Sequence, residues 1–421
     1  MPTSHAMTRR ILPPALLAAA ALAGAGASAS AQQAPPPPAT TPTAPTAPAA
    51  PASFTFVGRG FGHGIGMSQY GARGRALAGW NARRILRAYF TGVRFGTAKR
   101  RSVRVLLSSG LQEARFWSPR RWRLLGSRAG GRNVTPLRAG ATYMLQARAD
   151  GTLALKRGRS VVAVVAGPVR FQSRAKGGWV AWGPSRPEPA RRYRGGIRAL
   201  PSGGRFDLVN VVGMEDYLRG VVPREMPAAW GDDAPAALAA QAIAARSYAL
   251  STMKPTGAYD VWDDQRSQVY GGVSGEDRRT DRAVRRTRGT VLTYDGDVIT
   301  AYFFSTSGGR TEDVQNVFSG SGARPYLRSV PDPFDKGSPY HVWADPPTFG
   351  ARRLGDLLGL GAPVTAVDVV RRGVSPRVVR AEVTTANGRT TTLSGWTMRI
   401  RLGLRDTWFS VRPNAAGTAR R

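Results

Sequence analysis

Cysteine is absent from the 421 residues. Disulfides, thiolate metal sites and a cysteine nucleophile are excluded in one step. Histidine is almost absent: only His5, His63 and His341 occur, and His5 lies in the leader. A His-rich zinc centre therefore has no ligand set to draw on. Lysine is scarce as well, supplying 5 of the 61 basic residues. Acidic residues number 26, which leaves a net charge of +35. Such a surface attracts polyanions, whether nucleic acid, anionic lipid headgroups or anionic cell-wall polymers. The chain has too few long apolar runs for a multi-span membrane protein. Its 42% apolar and 21% charged residues exclude a wholly disordered chain. The length suits two to three domain-sized units.

Arg9 and Arg10 form a basic n-region, a weakly apolar stretch runs over 12–29, and Ala29-Ser30-Ala31 offers small residues for signal peptidase. Residues 1–31 thus read as a secretory signal peptide. Left uncleaved, the same stretch would act as a membrane anchor. Residues 32–53 form a linker dominated by Pro, Ala and Thr, which buries nothing and stays extended. Export turns the positive charge towards the cell envelope and away from nucleic acid. The tail, 414–421, reads as disordered.

Between these ends the class is α+β, mainly strands with a few helices. Residues 101–107, 142–148, 153–156, 160–166, 178–182 and 205–212 are short β-type runs divided by Gly and Arg turns. One helix is expected over 235–253, with Asp232 or Asp233 as its cap, Pro235 in its first turn, and Leu238, Ala242, Ala245 and Ala249 on one face. Another is expected over 68–90, with Leu77, Ile85, Leu86 and Tyr89 as its apolar positions. Hairpins are expected around Asp295-Gly296 and Asn387-Gly388.

Two segments carry candidate chemistry. In GRGFGHGIGMSQYG, residues 58–71, glycine recurs with a period of two. If extended, that run has one bare face, open to a sugar ring or another backbone, and presents His63 on the other. Tight packing with a hydrogen-bonded His63 is the simpler alternative. No strand, helix and acidic residue stand at dinucleotide-binding offsets. The second segment spans 211–250. Glu225 stands between Arg224 and Met226, near Val221, Val222 and Trp230. Apolar surroundings raise a carboxyl pKa, as a general acid near neutral pH requires. The alternative is a surface glutamate paired with Arg224 or Arg219. Glu215 and Asp216 offer a second carboxylate for glycosidase chemistry, or brace a helix. Arg246 suits a salt bridge equally well.

"EDYLRGVVPREMP" followed by "ALAAQAIAARSYAL" resembles the core motif of the SpoIID/LytB family, the stage II sporulation protein D and amidase enhancer group. "YRGGIRAL", "DQRSQVYGG", "YFFSTSGGRTEDV" and "SGWTMRIRLGLRDTWF" follow in family order, and "GRGFGHGIGMSQYGARGRALAG" also matches. The resemblance covers about residues 54–409. It divides into a Gly-His-Gly segment, 54–100, and a SpoIID/LytB domain, 101–413, with its core motif at 193–310. In the usual layout the Gly-His-Gly block comes last. Here it comes first, so the chain reads as a circularly permuted SpoIID-like fold. Residues 55–60 are then expected beside residues 408–412, with His63 facing the cleft of Glu225.

The resemblance implies peptidoglycan glycan strands as substrate, with lytic transglycosylase activity between N-acetylmuramic acid and N-acetylglucosamine. It implies Glu225 as the catalytic acid. It marks His63, Ser68, Gln69, Gln241, Arg246, Tyr248, Gln268, Tyr270, Ser305 and Ser307 as substrate-binding positions. The other role found in the family is enhancement of a wall amidase without cutting, which would make an amidase a partner beside the glycan and anionic wall polymers. Some members carry cysteine and histidine, suited to zinc, near "QVYGG" and "STSGG". Ser267 and Phe304 stand in those places here, so neither a metal nor another cofactor is expected.

Overall fold

A computed structural model of the chain describes residues 50–98, 102–128, 131–183, 191–254, 256–318 and 320–415. The leader, most of the linker and the last six residues of the tail lie outside these. Strand takes 37% of the described residues and helix 24%, so the class is the expected α+β with strands in the majority.

The short β runs assemble into one curled sheet of twelve strands. Its long strand, Ser160–Ser173, holds two halves together. Its first part pairs with Leu153–Arg157 and its last part with Gly196–Ser202. The register shifts between Ala166 and Arg170 on the edge that faces Trp122–Arg128. Gly167 there has φ +76° and Pro168 has no N–H to donate, so the ladder bulges and the sheet turns. Beyond Gly196–Ser202 come Arg205–Gly213, then Ser102–Leu111, then the short parallel Val261–Trp262. The inner face carries the first core, where Phe116 stacks on Phe171 with centroids 3.9 Å apart.

The expected helix is present as Pro235–Thr252, with proline in its first turn. Alanine explains its position. Ala242, Ala245 and Ala249 belong to the first core, whereas Ala237, Leu238, Ala240 and Ala244 belong to a second. Small side chains let structure approach both sides of the rod, so Leu238 falls on the face opposite to its expected one. The expected caps are also displaced. The capping position is Ala234, with no side-chain bond, because Asp232 and Asp233 sit in the preceding turn, Trp230–Asp233. They pair instead with Arg279 and Arg73.

Residues 68–90 form two helices, not one: Gln69–Leu77 and Ala82–Tyr89. Gly79, at φ +79°, ends the first and Asn81 caps the second through the Arg84 N–H. Ile85, Leu86 and Tyr89 are buried as expected, while Leu77 is exposed. The Asp295-Gly296 hairpin has positive φ at both turn residues, as a type I′ turn requires. The second hairpin joins Val378–Thr385 to Thr390–Ser394. With Phe54, Phe56 and two short helices it encloses a third core.

The strand Ser53–Gly58 pairs antiparallel with Phe409–Asn414, Thr55 opposite Arg412 and Gly58 opposite Phe409. This is the neighbourhood that the block order predicts. The glycine run that follows is not extended. Gly60, Gly62, Gly64 and Gly66 all have φ between +75° and +128°. The run is a tight loop that lets other groups close onto its backbone. A Cβ on Gly60 would lie 2.6 Å from the Asp406 carboxylate, and one on Gly64 would overlap the Arg377 guanidinium. Period-two glycine signals close packing here and not a flat bare face.

Arg377 and Asp406 are buried against this loop. The Arg377 Nε and Nη2 donate to the two Asp406 oxygens at 2.8 and 3.0 Å. The remaining donors go to the carbonyls of Ser307 and Arg310 and to the Ser375 hydroxyl. Removing one member of a buried pair strands the other, which typically costs about 3–5 kcal/mol. Asp406→Ala is therefore expected to lower the unfolding free energy by about that amount in a urea titration. A loss below about 1 kcal/mol would show that the pair does not hold these segments together.

Candidate active site

Glu225 is the last residue of the Met214–Glu225 helix. Pro227 sets this end point, since the residue before a proline is driven out of the helical region. Met226 accordingly has φ −131° and ψ 135°. Two bonds fix the glutamate. Its Oε1 accepts the Val269 N–H at 2.9 Å, and its carbonyl accepts the Gln69 side-chain amide at 2.8 Å. Burial pushes the carboxyl up from its ordinary value, and the Val269 N–H opposes this only in part. Its place at a helix C-terminus acts in the same upward direction. The acid is thereby biased towards its protonated form.

Glu225 borders a cleft of about 520 Å³ that also includes His63, Tyr248, Tyr302, Phe318 and Trp396. Among the described residues lining the cleft, Glu225 is the only carboxylate. One wall is a chain of rings. Tyr248 packs on Tyr302 at 5.7 Å, Tyr302 on Phe318 at 5.2 Å, and Phe318 on Trp396 at 5.6 Å. Burial, with the nearby Tyr302 and Glu225, pushes the Tyr248 phenol up to about 12. Half-exposed aromatic rings present flat apolar faces with polar edges, which suits sugar rings.

His63 does stand in this cleft, but in a fixed state. Its Nδ1 accepts the Ile65 N–H at 3.0 Å, so the proton is on Nε2, which donates to the Phe303 carbonyl at 3.1 Å. The ring packs on Tyr302, Phe304 and Phe318. Burial, then the positive charge of Arg399, lowers its pKa to about 3. Both nitrogens are committed, so His63 is a packing and positioning group and not a base or a ligand.

Of the other sequence-derived positions, Tyr248 lines the cleft and the rest do not. Gln69 holds the Glu225 backbone. Ser68 caps the Gln69–Leu77 helix through the Gly71 N–H, and its hydroxyl points to the Ser305 carbonyl. Ser305 bonds to Thr306, and Ser307 donates to Asp335. Gln268 accepts the Tyr217 hydroxyl, and Tyr270 donates to Asn210. Gln241 is fully buried with both amide atoms unpartnered. Arg246 is fully buried and forked onto Glu215 at 3.0 and 2.7 Å. Direct substrate contact by the buried Ser68, Gln241, Arg246, Gln268, Tyr270 and Ser307 is corrected accordingly: their polar groups face the interior. Glu215 and Asp216 line a separate cavity of about 620 Å³, so neither is a second carboxylate for this cleft. The aromatic wall is the part that residue patterns missed. Tyr302 and Trp396 lie inside quoted motifs, but nothing in their spacing separates a cleft ring from a core ring.

The model of the SpoIID, stage II sporulation protein, family matches residues 202–294. Stage II sporulation protein D of Bacillus subtilis is 35% identical over 225 residues, 49% of this chain and 62% of that protein. The amidase enhancer of the same organism is 44% identical over 118 residues, 28% of this chain and 15% of that protein. An uncharacterized protein of Brachyspira hyodysenteriae is 37% identical over 141 residues, 33% of this chain and 37% of that protein. Over these stretches the chain is similar to the SpoIID/LytB family. Its matches span from 15% to 62% of these relatives' own lengths. No solved structure matches. The SpoIID family segment contains Glu225, its helix and the Pro235–Thr252 helix, but not His63, Tyr302, Phe318 or Trp396.

Two measurements check the electrostatics. A glutamate with a raised folded pKa stabilises the fold fully below its ordinary value of 4.5, and that contribution is lost as pH rises through the folded value. Glu225→Gln is thus expected to match the parent's Tm near pH 4 and exceed it at pH 7.5; an unchanged gap across this range would mean that the carboxyl is unshifted. For His63, ¹⁵N-detected NMR is expected to show the Nε2–H tautomer without titration between pH 5 and 8. A midpoint near 6.5 would contradict the locked ring.

Proposed function

We propose that this SpoIID/LytB-like protein is an exported peptidoglycan lytic transglycosylase acting on the bond between N-acetylmuramic acid and N-acetylglucosamine. What carries the reading is one shielded carboxyl, with raised pKa, against a wall of rings. The sugar chain lies along Tyr248, Tyr302 and Trp396, and its glycosidic oxygen meets Glu225. The protonated Glu225 gives its proton to that oxygen as the C1–O bond breaks. The oxocarbenium-like C1 is captured by the same sugar's C6 hydroxyl, whose proton returns to the Glu225 carboxylate. The product is a 1,6-anhydro sugar, and the glutamate ends protonated, as it began. One carboxylate suffices because the nucleophile belongs to the substrate, which fits a cleft lined by one acid.

Export and an envelope location complete the proposal, on the strength of the leader and linker. So does the permuted order, supported by the pairing of Ser53–Gly58 with Phe409–Asn414. A second reading is an enhancer that binds wall glycan and stimulates an amidase without cutting. It is favoured by the 44% identity to the relative named amidase enhancer.

The test is mass spectrometry of peptide-free glycan strands after incubation. The parent protein is expected to release anhydro-muramyl ends, and Glu225→Gln to do so at least about 10²- to 10⁴-fold more slowly. Equal release by both would remove Glu225 from catalysis. No release by either, with equal stimulation of an added amidase, would establish the enhancer reading. Activity is expected to persist in EDTA; its loss, with recovery on adding zinc, would contradict the metal-free mechanism.

A further inference from the structure

No aspartate or glutamate occurs before Glu113. The arginines of this acid-free stretch must therefore borrow partners from later parts of the chain. Arg73, Arg75 and Arg104 do so, pairing with Asp233, Asp332 and Asp260. Arg83, Arg84, Arg87 and Arg94 do not. All four are exposed, and none has a carboxylate partner among the described residues. They gather around two rings. The Arg83 and Arg87 guanidinia lie 4.5 and 5.3 Å from the Phe95 centroid, and Arg84 lies 3.8 Å from that of Trp80. Arg94 precedes Phe95 in the strand Arg94–Thr97. Asp295 and Asp297 stand at the turn beyond Thr293, the residue opposite Arg94, and pair with none of the four.

The arrangement works against the helix that carries it. Arg83 and Arg84 sit in the first turn of Ala82–Tyr89, where positive charge opposes the helix dipole. Arg83 and Arg87 are like charges one turn apart, which repel. In Arg278–Arg286, by contrast, the Asp277 cap and Asp281 balance the first turn, and Arg285 and Arg286 occupy the last, where the dipole favours them.

We propose that Arg83, Arg84, Arg87 and Arg94 bind the phosphodiester chain of an anionic wall polymer built from polyol phosphate repeats. Guanidinium forks match phosphate oxygens in pairs. Arg83 and Arg87 rest on one ring, close enough for one chain to meet both. None of the four lines the Glu225 cleft, so this is a separate site. Two other anions fit less well. A bilayer surface calls for an apolar face beside the charges, but Ile85, Leu86 and Tyr89 of this helix are buried in the core. Nucleic acid calls for open rings on which bases stack, and the Phe95 and Trp80 rings already carry guanidinia. The choice of a wall polymer rests on the exported reading above; the surplus charge does not.

Binding to purified poly(glycerol phosphate) is measured with the full chain at fixed ionic strength, because a protein of charge +35 attracts any polyanion. Arg83→Gln/Arg87→Gln is expected to weaken binding at least about tenfold, the scale of one charge-assisted contact. The control, Arg282→Gln/Arg286→Gln, removes the same charge from the other helix and is expected to leave affinity nearly unchanged. Equal weakening by both pairs would overturn the assignment and leave only bulk charge. Unchanged binding by Arg83→Gln/Arg87→Gln would overturn it too. The Tm of that variant is expected to equal or exceed the parent's; a lower Tm would show that the pair is kept for stability and overturn the argument from cost. The parent alone supplies a further arm: binding sacculi stripped of phosphate polymer by hydrofluoric acid as tightly as unstripped ones would refute the site, whether or not the variant folds. Weaker binding of the variant to phosphatidylglycerol vesicles or duplex DNA, with none lost on the polymer, would assign the arginines to lipid or nucleic acid and refute the wall polymer. Cleavage of peptide-free strands by the variant is expected to be unchanged. Failure of the glycan reading therefore shows in the parent's products, and failure of this one in polymer binding alone.

Discussion

The buried pair of Arg377 and Asp406 is the constraint from which the site's geometry follows. Arg377 spends its donors on Asp406, Ser307, Arg310 and Ser375, and Asp406 also accepts the Trp408 N–H at 3.0 Å. One ion pair therefore joins the segment before Val378, the loop after Phe304 and the C-terminal strand. Glycines 60 and 64 are required because this pair fills the space where their side chains would be. With the glycine loop clamped, Met67–Ser68 lies parallel to Phe303–Phe304. That pairing brings His63 against the Phe303 carbonyl and Tyr302 into the cleft.

Local structure was legible where a single physical rule governs it. Asp295-Gly296 and Asn387-Gly388 mark hairpins because Asp295, Gly296 and Gly388 accept positive φ cheaply. Pro235 marks a helix start because its fixed φ suits the first turn. The Ser53–Gly58 pairing with Phe409–Asn414 was legible from block order, which constrains neighbours without any side-chain argument. Glu225 was legible from spacing only as one of two readings, because Arg224 beside it left a surface ion pair equally open. Where two rules compete, sequence misleads. The glycine run obeys the period of a strand, yet its residues adopt the left-handed conformations that only glycine tolerates readily. Residues 68–90 show helical apolar spacing throughout, yet Gly79 and Asn81 break the rod and turn the second half.

The supporting residues were misread for a common reason. Ser68, Gln69, Gln268, Tyr270 and Ser307 are polar, and polar residues in a motif invite assignment to a ligand. In an α+β fold with irregular loops, they are needed first to satisfy buried backbone and side-chain groups. Gln69 illustrates the distinction: its amide bonds to the Glu225 carbonyl, so it positions the acid without meeting the substrate. The residues that shape the cleft, Tyr302, Phe318 and Trp396, come from three distant stretches of chain. No spacing rule links them, and only the closure of the glycine loop brings them together.

A final constraint concerns charge. A chain with net charge +35 should pull any nearby carboxyl pKa down, and a general acid needs the opposite. The arginines nearest to Glu225 in sequence and space are diverted. Arg224 packs over Gly271 and Gly275, in a neighbouring depression beyond Val269. Arg266, on the cleft rim, is forked onto Asp264 and stacked on Trp262. Arg246 is neutralised by Glu215 in another cavity. What remains to act on Glu225 is burial, one backbone N–H and the helix C-terminus, and no arginine. The glycines at 271 and 275 thus serve the acid indirectly. They provide the flat bed that keeps Arg224 facing away, and so a strongly basic protein retains one carboxyl able to hold a proton.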